Sequence, residues 1–119
     1  MAAIKPEILK RNFTTTPRKV TSAILSLCNE INPAETLVEV PVRPDKDAIV
    51  SECFNNVSEK VNREGGNLLY GWTIWEWPRV FIEAEHHAVW EKDGKLVDIT
   101  PKDNGERRIL FLPDPTRTY

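Results

Sequence analysis

The dipeptide Asp93-Gly94 constrains this chain more than any other feature. It separates VFIEAEHHAVWE (80–91) from KLVDIT (95–100), two stretches rich in β-branched and aromatic residues. Asp-Gly is a strong signal for a two-residue hairpin turn. The turn then fixes the pairing. Lys92 meets Lys95, Glu91 meets Leu96, Trp90 meets Val97, Val89 meets Asp98, Ala88 meets Ile99 and His87 meets Thr100. Paired residues share a face, and the face alternates along each strand. One face carries His87, Val89, Glu91, Leu96, Asp98 and Thr100, a mixed set suited to a cleft wall. The other carries His86, Ala88, Trp90, Val97 and Ile99, and is predicted to pack into the core. On this register His87 and Asp98 are diagonal neighbours, roughly 7–8 Å apart at the backbone and closer at their tips. A slip of one residue would turn one of them away.

The remaining elements are read around this hairpin. Thr16-Pro17 is a helix start, with Thr16 as cap and Pro17 at the first helical position. Val20, Ile24, Leu27 and Ile31 follow at helical spacing, Cys28 lies beside that face as a small buried hydrophobe, and Asn32-Pro33 ends the helix. TLVEVPV (36–42) is a short strand that Pro41 restricts to an edge or a bulge. A second helix is predicted from Ser51 to Glu64, with Phe54, Val57 and Val61 as its apolar stripe and Gly65-Gly66 as its stop. LLYGWTIWEW (68–77) and RILFLP (108–113) are further strands. Residues 1–15 read as a loose arm or a short docked segment. The pattern is α+β: two main helices followed by an antiparallel sheet of four to five strands.

Length and composition narrow the setting. With 119 residues, 40% hydrophobic and 29% charged, the chain makes one soluble globular domain spanning 1–119. A net charge of −2 gives no general pull toward nucleic acid. No apolar run reaches the ~18 residues of a membrane span, and MAAIKPEILKRNF holds no apolar segment long enough for a secretory signal. Two cysteines make no disulfide framework. The expected location is the cytoplasm, with no cofactor, no membrane and an unassigned oligomeric state.

His87 facing Asp98 is the orienting half of a nucleophilic triad, in which the carboxylate fixes the imidazole tautomer and stabilises its charged form. The nucleophile candidate is Cys53. If Ser51 caps the second helix, Cys53 stands at its N-terminus, where unpaired backbone N–H groups favour a thiolate and can hold an oxyanion. If Asp45 or Asp47 caps it instead, Cys53 lies mid-helix as an inert buried residue.

The order Cys53, His87, Asp98 resembles that of papain-like and transglutaminase-like folds. His87-Ala88-Val89-Trp90, then Asp93-Gly94, then Asp98 near Pro101 is similar to the histidine strand and aspartate of the transglutaminase-like group. The stretches CFNNV (53–57), YGWTIWE (70–76), EAEHHAVW (83–90), LVDITP (96–101) and ILFLPDP (109–115) also resemble an uncharacterised bacterial family with the texture CFxNV, YGWxIWE, EAExHAVW and LVDITP. Members of that family often carry a label taken from the SEC-C zinc motif. The label does not transfer, since the motif needs Cys-x-Cys and a further Cys with His or Cys. The triad resemblance implies a papain-like or transglutaminase-like core. It also implies a cysteine-dependent amide hydrolase or deamidase acting on a protein or peptide substrate through Cys53, His87 and Asp98.

Other readings stand beside this one. Glu83, Glu85 and His87 at i, i+2 and i+4 share a strand face and could hold a divalent metal, with Asp98 as a fourth ligand; otherwise they form a solvated acidic face. His87–Asp98 could be a structural pair, and His86 a satisfied core histidine. Trp72, Trp75, Trp77 and Trp90 suit packing or a substrate cleft, and Asn55 and Asn56 suit an oxyanion site, the helix terminus or the surface. A domain without chemistry would bind a protein partner through its aromatic surface and acidic strand, as a bacterial or phage accessory factor does.

Overall fold

The two strands flanking Asp93-Gly94 pair as the turn requires. In the structure, a computed structural model that describes residues 14–118, Asp93 and Gly94 have φ of 53° and 78°, the two positive values of a tight primed turn. Trp90 pairs with Val97, Glu91 with Leu96 and Lys92 with Lys95. The strands are β1 (Val38–Pro41), β2 (Asn67–Trp77), β3 (Phe81–Lys92), β4 (Lys95–Val97) and β5 (Arg108–Pro113), and the helices are α1 (Ser22–Ile31) and α2 (Cys53–Glu64). The sheet order is β1-β5-β2-β3-β4, antiparallel throughout. The α+β class with two helices and a five-stranded antiparallel sheet therefore holds. One refinement is that β1 lies between the helices in chain order.

The two edges of the sheet come together. Ladder pairing of β4 stops at Val97, so the expected pairs Val89–Asp98, Ala88–Ile99 and His87–Thr100 are not part of the ladder, and Asp98 instead bridges Val42 in parallel. Asp98 N–H donates to Pro41 O, Arg43 N–H to Asp98 O, and Asp45 N–H to Ile99 O, at 2.9, 2.9 and 3.0 Å. Pro41 has no N–H to give, and only its carbonyl is used at this seam. Curled this way, the sheet has an inner and an outer face. Val40, Trp75, Val89, Ile109 and Phe111 fill the inside. Outside, Ile24 and Cys28 of α1 pack on Ile74, Leu110 and Leu112, and Val57 of α2 packs on Ala88 and Ile99. The hairpin face carrying His87, Val89 and Asp98, expected as a cleft wall, is thus largely interior, with His87 and Asp98 buried. The glycine opposite His87 matters here. A Cβ on Gly71 would collide with the Phe111 ring and the Leu112 carbonyl, so its absence lets Phe111 cross under the strand.

Both expected helix starts are corrected. Thr21, not Thr16, caps α1: its hydroxyl accepts from Ile24 N–H at 3.2 Å. Val20 falls outside the helix and is 48% exposed, so the buried face begins at Ile24. Thr16 is drawn away because its hydroxyl donates to Arg108 O and its N–H to Glu106. Ser51 does not cap α2. It sits at φ 66° in the turn before the helix, and Glu52 occupies the cap position. A start at Asp45 or Asp47 does not occur either. Of the expected N-terminal arm, residues 1–13 lie outside the described residues. Thr15 is docked, exchanging backbone hydrogen bonds with Glu76. No helix among the described residues is long and apolar enough to cross a membrane.

Candidate active site

Three elements bring Cys53, His87 and Asp98 to one place. Cys53 is the first residue of α2. The chain enters that helix through the left-handed Ser51, a conformation that non-glycine residues adopt at a cost and that recurs at active sites. The cap residue Glu52 makes no side-chain capping hydrogen bond. His87 stands in the buried centre of β3, and Asp98 follows the last paired residue of β4.

His87 Nε2 lies 2.9 Å from Asp98 Oδ2. The Cys53 side chain lies beside the same ring, close enough to help raise its pKa. With Nε2 committed to the carboxylate, Nδ1 is the ring atom left for the thiol. Cys53 is 7% exposed and His87 4%, so the pair lies just beneath the floor of a cleft of about 360 Å³. Val50, Phe54, Trp75, Glu85 and Thr100 help to line that cleft.

The electrostatics follow from burial set against charge. Burial disfavours a charged His87, but the Asp98 carboxylate outweighs it and the adjacent Cys53 adds to the effect. The imidazole pKa is raised to about 9 even though Lys102 opposes. Burial likewise works against Asp98 ionising, yet His87 and Lys102 outweigh it and hold its pKa below the ordinary aspartate value. At neutral pH the pair is an imidazolium and a carboxylate.

A second set of contacts fixes the frame. Asn56, one turn along α2 from Cys53, accepts from Ile49 N–H through Oδ1 at 3.1 Å. Its amide donates to Ile49 O at 2.8 Å and to the Thr100 hydroxyl at 3.0 Å. Thr100 N–H donates in turn to Asp98 Oδ1 at 3.1 Å. Both amide hydrogens of Asn56 are consumed, so it holds the helix terminus and does not serve an oxyanion. Asn55 is exposed and donates to Glu52.

Lys102 was missing from the sequence reading. Its Nζ contacts Asp98 Oδ2 at 2.6 Å and lies 3.3 Å from His87 Nε2, with its side chain 8% exposed. The available signal was its i+4 spacing from Asp98 behind a proline. That spacing is ordinary in a polar loop, and only the curled sheet buries it.

The other candidates fall elsewhere. Glu83, Glu85 and His87 share a face of β3, but Glu85 is exposed and accepts from Trp75 Nε1 at 3.1 Å, while His87 turns to Asp98. No group of three His, Cys, Asp or Glu side chains among the described residues is placed to hold a metal. Cys28 is buried in the α1 interface, where desolvation raises its thiol pKa. His86 is half-buried among the rings of Phe54, Tyr70 and Trp72, with Nε2 2.8 Å from Arg117 O. Trp75 reaches the cleft, whereas the Trp72 and Trp90 indoles bond Asp114 and Gly65 O. Comparison with models of protein families, with curated proteins and with solved structures finds no match.

Proposed function

We propose that this domain is a cysteine-dependent amide hydrolase or deamidase of papain-like or transglutaminase-like design, with Cys53 as nucleophile, His87 as proton carrier and Asp98 as the group that orients His87. The observation that carries the reading is that His87, buried in mid-strand, has a helix-terminal cysteine beside its ring and a buried aspartate 2.9 Å from Nε2. Satisfying a core histidine requires neither the cysteine nor the cleft.

The chemistry runs as acyl transfer. His87 holds the proton of Cys53, and the thiolate forms a C–S bond to the carbonyl carbon of a carboxamide. The resulting oxyanion is received by the backbone N–H of Cys53 at the start of α2. Collapse breaks the C–N bond, and His87 protonates the departing ammonia or amine. Water then attacks the thioester with His87 as base, releasing a carboxylic acid and restoring the Cys53 thiol. The open cleft suits a side-chain or main-chain amide of a protein or peptide. Cys28 and Cys53 are both free thiols, and a thiol nucleophile works where thiols stay reduced, which fits the cytoplasm.

The test is alkylation of the folded protein with iodoacetamide, read by mass spectrometry. Wild-type protein labels at Cys53, Cys53→Ala does not label there, and folded His87→Ala labels at least tenfold more slowly. Equal rates in wild type and His87→Ala would overturn the proposal.

A further inference from the structure

Lys102 has no place in the three-residue scheme, and its burial needs an account. A buried ammonium is costly unless it is paired, and this one is spent on a carboxylate that already has a partner. Asp98 Oδ2 takes His87 Nε2 at 2.9 Å and Lys102 Nζ at 2.6 Å, and the two nitrogens lie 3.3 Å apart. Two donors thus converge on one oxygen.

Counting charge in this closed space shows what the lysine changes. Without it, imidazolium and carboxylate neutralise each other, and the buried set is balanced with Cys53 protonated. With it, Asp98 is already balanced by the ammonium. An imidazolium then finds its counter-charge in a thiolate at Cys53, and moving the proton from sulfur to imidazole leaves the net charge of the cluster at zero. Removing a nearby positive charge stabilises every cation left and destabilises every anion. The other charged groups near His87 do not reverse this. On β3 they are Glu83 and Glu85, with His86 on the opposite face, and beyond Asp98 there is Asp103. From β2 the facing residue is Gly71, and α2 presents only Cys53.

We propose that Lys102 is a positioning residue of the site, which neutralises Asp98 so that protonation of His87 is matched by a thiolate at Cys53. This rests on the acyl-transfer reading above and deepens it. Lys102 touches no reacting atom. It acts through Asp98 and His87, and sets the pH range in which the sulfur is reactive.

The experiment is the pH dependence of Cys53 alkylation by iodoacetamide in full-length protein, which needs no substrate. Lys102→Gln keeps an N–H donor for Asp98 and drops the charge, Lys102→Met drops both, and Lys102→Arg keeps the charge. In both charge-removing variants the acid limb of the rate profile moves up by about one pH unit, so the rate on that limb falls about tenfold. In Lys102→Arg it stays within about 0.3 unit of wild type. A purely structural role would lower the plateau or the melting temperature and leave the limb in place. An unmoved limb in folded Lys102→Gln or Lys102→Met overturns the inference. Such a result leaves the acyl-transfer reading standing, provided labelling still depends on His87. Labelling that ignores His87 removes both.

Discussion

Asn56 on α2 donates to the hydroxyl of Thr100 at 3.0 Å, joining residues 44 positions apart. Through Thr100 N–H the link continues to Asp98. The helix that presents the sulfur and the segment that presents the carboxylate are therefore set relative to each other by one amide side chain, independently of His87.

Asn56→Ala breaks this link and leaves the buried Thr100 hydroxyl without its Asn56 donor. A buried group left unsatisfied costs about 1–3 kcal/mol. The expected result is a loss of that size in urea denaturation, together with slower Cys53 alkylation. Asn55→Ala, one residue earlier and exposed, changes stability by less than about 0.5 kcal/mol. Equal effects from the two would contradict the assignment.

Removing the charge of Asp98 is harsher. Asp98→Asn leaves His87 and Lys102 facing a neutral amide in a buried space. Breaking a buried pair from one side costs about 3–5 kcal/mol. Denaturant midpoints should drop accordingly, and alkylation of Cys53 should lose its His87 dependence.

The pH profile of stability has a defined shape. The His87 pKa is raised in the fold, to about 9 from 6.5, so its contribution is whole below about 6.5 and is lost as pH rises through about 9. The Asp98 pKa is lowered, so its contribution is whole above the ordinary value of 3.8 and fades as pH falls through the lower folded value. Melting temperature is therefore expected to hold level between about pH 4 and 6.5 as far as this pair is concerned, then decline toward pH 9 and beyond. In His87→Gln the alkaline decline shrinks. Differential scanning fluorimetry across pH 5–10 checks it, and an unchanged decline in the variant would refute the assignment.

Gly71→Ala tests the space beneath β2 opposite His87. The added methyl meets Phe111 and the Leu112 carbonyl, and overpacking of this kind costs about 1–3 kcal/mol. Because Gly71 is the cross-strand partner of His87, the same change should also slow Cys53 alkylation. Pairing Gly71→Ala with Phe111→Leu should recover part of both losses.

Where a signal was local and steric, the sequence carried it. Asp93-Gly94 called for a tight turn, and that turn determined the three pairs from Lys92–Lys95 to Trp90–Val97, beyond which the seam holds Asp98. The aromatic and β-branched run 68–77 allowed little besides a strand. Helix starts were less legible because several polar residues compete for each one. Thr16 and Thr21 are equally able caps, and a hydrogen bond to Arg108, 92 residues away, decides between them. Ser51 looked like a cap, and its left-handed backbone makes it a turn instead. Seam formation between Pro41–Asp45 and Asp98–Ile99 leaves no periodic trace in either segment. Nothing nearby in sequence could therefore say that the mixed face of the hairpin is interior, or that Lys102 is buried against Asp98.

Asp98 gives its backbone to the seam with Pro41 and Arg43 and its side chain to His87. Any breathing that parts β1 from the segment after β4 therefore removes the backbone restraint on the carboxylate that faces the imidazole. Deuterium uptake at the Arg43 amide and decay of thiol reactivity should then rise together with temperature, as two views of one opening. Damage to that junction would loosen Asp98 beside His87 well before the rest of the sheet unravels.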